Sequence, residues 1–307
     1  MPLRALGFID LPPHVGAGGF DHAGVHEQTG HVYVAHTAND ALDVLDVEAQ
    51  RYLGSIHGLK AVAGALVAAP DLVFTSNRGE NTVGIIRVGQ TGPADKVSVG
   101  VRPNGLAHDQ GRNRLLAAHV GDPAIPGSCT VSIIDVAARI RVADLPVAGR
   151  TRWTVYDPVS DVFHVNIADP PQIVAVRAGD PPGIERVATM PEAGPHGLDI
   201  DVQRRRLFCA CDAGVLLEVD ADTGKVLAGE PIAGVPDVVF FNSGLQRLCV
   251  AIGDPGLIEV FDTSPLRRHE RVPTEGGAHT LSFDARRQVV SAFLPGSHRA
   301  AVYRDHR

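Results

Sequence analysis

Aspartate, asparagine, arginine and histidine recur in this chain at wide, nearly even intervals. From Asn104 through Arg152, His196 and Asp237 to His279 the steps are 41 to 48 residues, and Asp21 with His22 belongs to the same series. Imidazole and carboxylate are ligand types for a divalent transition metal, which would polarise a carbonyl or lower the pKa of a bound water. The metal set read here is His22, His196, His279, Asp237 and Asp21. Without a metal, a histidine paired with Asp237 or Asp21 would be a general base near neutral pH. In either case His196, His279, Asp237 and Arg152 are the catalytic candidates, and Asn104 and Arg152 would hold substrate. A guanidinium can clamp a carboxylate or phosphate bidentately, so the substrate expected is a small anionic metabolite. The reaction classes that fit are hydrolysis, lyase chemistry and isomerisation. The alternative is a non-catalytic protein that binds a small ligand or a protein partner, its polar side chains bonded to loops and water.

Residues this far apart meet only if the chain returns to one place once per repeat. The returning unit is visible. Pro103-Asn104-Gly105-Leu106-Ala107-His108-Asp109 is matched by Pro195-His196-Gly197-Leu198-Asp199-Ile200-Asp201. Each unit has a first strand ending at an anchor residue: His26, Leu66, Asp109, Asp157, Asp201, Asn242 and Asp284. Leu66 is the one apolar anchor. The position five before each anchor reads Asp21, Ala61, Asn104, Arg152, His196, Asp237 and His279. Second strands follow, such as 31–36, 114–119 and 206–211, and third strands such as 41–46 and 130–135, often closing on Asp and a turn. They are short, turn-bounded and free of a helical period.

Seven units of 40–48 residues with four strands each predict an all-β fold, a single seven-bladed β-propeller with four antiparallel strands per blade. One domain spans 1–307. The last unit, about 278–304, lacks a fourth strand, and a strand at about 3–9 is expected to supply it and remove an open edge.

In such a ring the loop into strand one and the loop between strands two and three open on the same face. Beside the main series stand Trp153, next to Arg152, and Arg78 and His119, which follow or end second strands. All three are expected to contact substrate. His36 and His119 occupy related positions and also read as satisfied loop histidines, while Asp and Asn in these loops, Asp212 among them, read as turn formers. The loop 119–128 is longer than its counterparts and carries two prolines, suiting a specificity wall.

Composition excludes several classes. A net charge of −7 leaves no basic footprint for nucleic acid. The longest apolar run, 61–69, is too short to span a bilayer, and residues 1–6 show no signal-peptide pattern, so a cytoplasmic protein away from the membrane is expected. Four cysteines are too few for a disulfide framework at this length and read as buried, reduced thiols. No Cys-x-x-Cys-His motif exists for haem c, and no glycine pattern opens a helix, so neither nicotinamide nor flavin is expected. One divalent metal ion is the single cofactor the residues admit.

The segments Val32-Tyr33-Val34-Ala35-His36-Thr37-Ala38-Asn39-Asp40-Ala41-Leu42-Asp43-Val44-Leu45-Asp46 and Val73-Phe74-Thr75-Ser76-Asn77-Arg78-Gly79-Glu80-Asn81-Thr82-Val83-Gly84-Ile85-Ile86 resemble the YVTN-type propeller repeat. That pattern is Tyr-Val-Thr-Asn, a polar turn and a strand ending in Asp. The resemblance covers nearly the whole chain and implies a seven-bladed propeller. Its relatives include lactone hydrolases and binding proteins, so it implies lactone ring opening as one option. The tryptophan-docking pattern of quinone-dependent dehydrogenases is absent.

Overall fold

A computed structural model describes residues 3–68 and 70–306. The end of the apolar run at Ala69, and residues 1 and 2 at the N-terminus, lie outside them. Among the described residues the chain forms seven four-stranded sheets, all but one built from consecutive strands in chain order, arranged as the blades of a propeller. Blade one comprises Phe20–His26, His31–His36, Ala41–Asp46 and Arg51–His57. The innermost strands of blades two to seven are Val62–Ala68, Pro103–Asp109, Thr151–Asp157, Pro195–Asp201, Pro236–Asn242 and Thr280–Asp284. Blade seven closes as expected: Leu3–Asp10 pairs antiparallel with Arg299–Asp305 and becomes its outermost strand.

The burial pattern follows from position in the blade. Second strands are covered on both faces by neighbouring blades and read as apolar runs; Val162–Ile167 is buried at every residue. Outer strands alternate, as in Ile140–Pro146, because one face meets solvent. The core is therefore a series of seams between adjacent sheets. Phe163, Val165, Leu116 and Ile133 pack between blades three and four, and Phe208, Val239, Val250 and Phe261 between blades five and six. A buried side chain of this size contributes about 1.5–3 kcal/mol.

The polar anchors close the turn from strand one to strand two. Asp109 Oδ1 accepts the amides of Gly111 at 2.9 Å and Arg112 at 3.2 Å. Asp201 does the same for Gln203 and Arg204 at 3.0 and 3.1 Å. Blade two has no such cap, and its anchor is displaced from the expected one. Its inner strand ends at Ala68, not Leu66, and Val62 pairs with Asn77 as Pro103 pairs with His119. The residue equivalent to Asn104 is therefore Ala63 rather than Ala61. Without a side-chain acceptor to close the turn, nothing polar marks the strand end.

All four cysteines are free thiols. The Sγ atoms of Cys209 and Cys211 lie 3.9 Å apart on one strand. Cys209, Cys211 and Cys249 are buried, whereas Cys129 is only half-buried, since it ends the long loop rather than sitting inside a strand. No helix among the described residues is long and apolar enough to cross a membrane.

Candidate functional site

Six of the seven blades bring a polar residue to one mouth of the central channel by the same local construction. Asp21, Asn104, Arg152, His196 and Asp237 are each the second residue of an innermost strand, and His279 immediately precedes one. A β-bulge follows directly in blades one to six, for example between Pro103 and Leu106 and between Pro195 and Gly197. Bulges re-aim side chains at sheet edges. Here they turn the strand start inward. Neighbouring inner strands also approach closely at this level. A Cβ on Gly105 would lie 2.5 Å from the Arg152 carbonyl oxygen, and one on Gly197 would lie 2.3 Å from that of Asp237. The glycine after Asn104 and His196 is thus required by the ring itself.

Blades five to seven carry a hydrogen-bonded imidazole–carboxylate array. His279 Nδ1 donates to Asp237 Oδ2 at 2.6 Å, and Asp237 Oδ1 lies 3.2 Å from His196 Nε2. His196 Nδ1 donates to Asp212 Oδ1 at 2.7 Å. Arg152 closes this group, with Nη2 at 3.2 Å from Asp212 Oδ2 and Nη1 at 3.2 Å from His196 Nε2. Neutral, His196 Nε2 accepts from the guanidinium; protonated, it donates to Asp237. Burial lowers the pKa of both imidazoles, but Asp237 and Asp212 outweigh it at His196, and Asp237 outweighs it at His279, so both end above the ordinary value. Burial would raise the Asp237 carboxyl, yet the two imidazoles hold it well below the usual range.

The two histidines are not equivalent. The His196 side chain is 13% exposed with both ring nitrogens engaged, whereas His279 is 37% exposed. Its Nδ1 is fixed by Asp237, and no hydrogen bond among the described residues uses its Nε2. That atom is the one an incoming molecule can meet. His196 is a positioning residue behind it.

Blades two to four carry a cationic arc. Blade two offers only Ala63 at the mouth position, and Arg78, from the loop between its second and third strands, reaches into that place. Its guanidinium lies 3.2 Å from Asp21 Oδ2 and donates to Asn104 Oδ1. Arg78 and Arg152 each retain a buried Nε–H without a partner among the described residues. Two further arginines stand close by. Burial and the charges of Arg152, Arg78 and Arg102 together lower the pKa of Arg150. Among the described residues neither Arg102 nor Arg150 forms an ion pair. Sequence reading missed both, although a signal existed: each lies two residues before the mouth position, at Asn104 and Arg152. It also took Asp212 for a turn former, whereas Asp212 fixes His196.

Four other candidates lie elsewhere. His119 does not reach the mouth: it is fully buried at the end of a second strand, with Nδ1 on Thr130 Oγ1 at 2.7 Å, and burial pushes it down to about 4. The first-strand residue Pro103 sits between it and the channel by register. His36 is likewise buried, its Nδ1 on Asp43 and its Nε2 on His14, each at 2.7 Å. His22 points below the mouth, with Nε2 3.3 Å from Asp21 Oδ1. Its ring is 4.1 Å from that of Trp153, and burial lowers its pKa. Trp153 and His22 line the channel cavity beneath the site rather than the site itself.

Among the described residues, no three His, Cys, Asp or Glu side chains are grouped so as to hold a metal ion. His22 faces Trp153, Asp21 is taken by Arg78, and a guanidinium stands 3.2 Å from His196 Nε2, on the approach a metal would need. As arranged, these residues do not fit a metal centre.

No family model matches the chain, and no curated protein matches it. Among solved structures it is similar to Kuenenia stuttgartiensis hydrazine synthase, with 13% identity, 95% of this chain and 97% of that chain covered, and a TM-score of 0.79. It is also similar to a chain of a mitotic checkpoint complex, with 11% identity, coverage of 99% and 92%, and a TM-score of 0.82. Likeness at this identity carries the fold alone: the chain is a seven-bladed β-propeller.

Proposed function

We propose that this mouth binds a small anionic metabolite and moves a proton on it. The anionic group pairs with the arginine arc of Arg78, Arg102, Arg150 and Arg152, with Asn104 as a further hydrogen-bonding group. His279, oriented by Asp237, exchanges the proton at Nε2. The observation that carries this reading is the division of the mouth into a cationic arc and a His–Asp–His array that meet at Arg152 and His196. An oriented imidazole with one free nitrogen is the arrangement general acid–base catalysis requires. Hydrolysis of a lactone-like ester, lyase chemistry and isomerisation all begin with such a transfer. Kinship with YVTN-type propellers, supported by the repeat segments quoted above, brings lactone opening within that set. A cytoplasmic location is part of the proposal, supported by the free thiols.

A second reading, binding without turnover, is favoured by one observation. Asp21, Asp212 and Asp237 are all already engaged by a guanidinium or an imidazole. A panel of small carboxylates and lactones, screened by ligand-stabilised melting and then for turnover, separates the two. Stabilisation and turnover that both fall in Arg152→Ala, with turnover alone falling in His279→Gln, supports the enzyme. Stabilisation without turnover supports the binder, and neither sinks the assignment of the mouth.

A further inference from the structure

Below the mouth lies a cavity of about 1050 Å³. Innermost strands of all seven blades line it, from His22 and Trp153 at its upper end to the turn around Gln110 and Arg112 at its lower end. Its wall is mainly apolar, with Val25, Leu66, Leu106, Val155, Val239 and Phe240 among the lining residues. The volume is that of a small-molecule site, and such sites combine apolar walls with a few placed polar groups.

Most polar groups facing the cavity satisfy one another. Arg112 binds Asp109 at 2.9 Å and Asp161 at 2.6 Å, the Tyr156 hydroxyl donates to Asp161 at 2.8 Å, and His108 bonds Asn113 at 3.0 Å. Asp199 differs. It accepts only two backbone amides, from Ile200 at 2.8 Å and from Phe241 of the next blade at 2.7 Å. Among the described residues no cationic side chain pairs with it. Burial pushes its carboxyl up to about 6, against the two amides that lower it. A carboxylate has lone pairs for about four hydrogen bonds, so acceptor capacity remains open toward the cavity.

We propose that the lower channel is a second ligand site, independent of the mouth, that takes a small organic amine with an aromatic or aliphatic body. The ammonium pairs with Asp199, and the body lies against Phe240, Phe283 and Val239. A neutral apolar guest would leave the carboxylate unpaired in an apolar wall, which costs free energy, and an anionic guest would be repelled. A cation both fills the cavity and neutralises the carboxylate that no cationic side chain among the described residues pairs with.

Trp153 is the only tryptophan and lines the cavity, so its emission reports occupancy. The full chain is titrated with 2-phenylethylamine, 2-phenylethanol and phenylacetate, followed by Trp153 fluorescence and calorimetry. Saturable binding of one amine per chain is expected, with the alcohol at least tenfold weaker. Amine affinity should rise about tenfold from pH 5 to pH 7 as Asp199 ionises, the amine staying protonated throughout. Asp199→Asn should abolish the preference for amine over alcohol while keeping the alcohol site. Phe283→Leu, a milder change, should weaken amine and alcohol alike and keeps the test alive if Asp199→Asn does not fold. Equal affinity for amine and alcohol, wild-type amine binding by Asp199→Asn, or no response of Trp153 to any of the three at millimolar concentration overturns the proposal. Phenylacetate binding that depends on Arg152 and survives Asp199→Asn belongs to the mouth and counts against an anionic guest below.

Discussion

At the mouth, His196 and His279 are held above the ordinary imidazole value, whereas His119, at the end of the second strand of blade three, falls to about 4. Burial acts on all three in the same direction. The difference lies in their neighbours: the mouth imidazoles touch Asp237 and Asp212, while His119 meets only the Thr130 hydroxyl at hydrogen-bond distance. Residue type alone therefore says little about role in a propeller. What matters is whether the start of an innermost strand, where blades converge, or a second strand, where blades pack, carries the ring.

The sharpest way to break this contrast is His279→Ala. Turnover on a mouth substrate should fall about 10²–10⁴-fold, the range for loss of a general acid–base group, while His119→Asn leaves turnover unchanged. Equal losses in both would erase the distinction. Arg152→Ala should weaken anion affinity by about 10–100-fold, as expected for removal of a charge-assisted contact worth about 1.5–3 kcal/mol; a competition titration with a carboxylate reads it. His119→Ala should lower unfolding free energy by about 1–3 kcal/mol, because it empties the place of a fully buried imidazole and removes its bond to Thr130, and a urea melt measures this with anion affinity intact.

The opposite pKa directions predict opposite pH limbs. The raised mouth pair contributes stability that is full below pH 6.5 and is lost as pH rises through its folded values. The depressed His119 contributes stability that is present above pH 6.5 and is lost as pH falls toward about 4. In Asp237→Asn the alkaline limb of a melting-temperature profile should flatten, and in His119→Asn the acid limb. The smallest effect expected is that of a chelator. Turnover and melting temperature should not change after metal removal, measured against a metal scan of the purified protein; loss of both would return His22, Asp21 and their partners to a metal centre.

The propeller was legible because each blade repeats its own chemistry. The Asp109 and Asp201 caps are local hydrogen bonds to amides two and three residues on, so they mark strand ends in the sequence itself. Where the cap is missing, at Ala68, the reading slipped by two residues. The mouth was half legible. One aligned position listed Asn104, Arg152, His196, Asp237 and His279, since the strand start recurs once per blade, with a bulge in all of these but the His279 blade and a glycine after Asn104 and His196. Arg78 filling the place beside Ala63, Asp212 fixing His196, and the crowding of Arg102 and Arg150 involve contacts across blades, and no local pattern encodes them.

Sequence by itself determined the number of blades, their strand order, the closure by the N-terminal strand, and the residue types facing one end of the channel. These follow from hydrophobic alternation, turn chemistry and periodicity, all of which act over a few residues. Only the tertiary structure decided which imidazole keeps a nitrogen unbonded among the described residues, that His22 turns onto Trp153, and that Asp199 lines the cavity with no cationic side chain among the described residues paired to it. Those outcomes depend on distances of about 3 Å between side chains of different blades, where hydrogen bonding and burial compete.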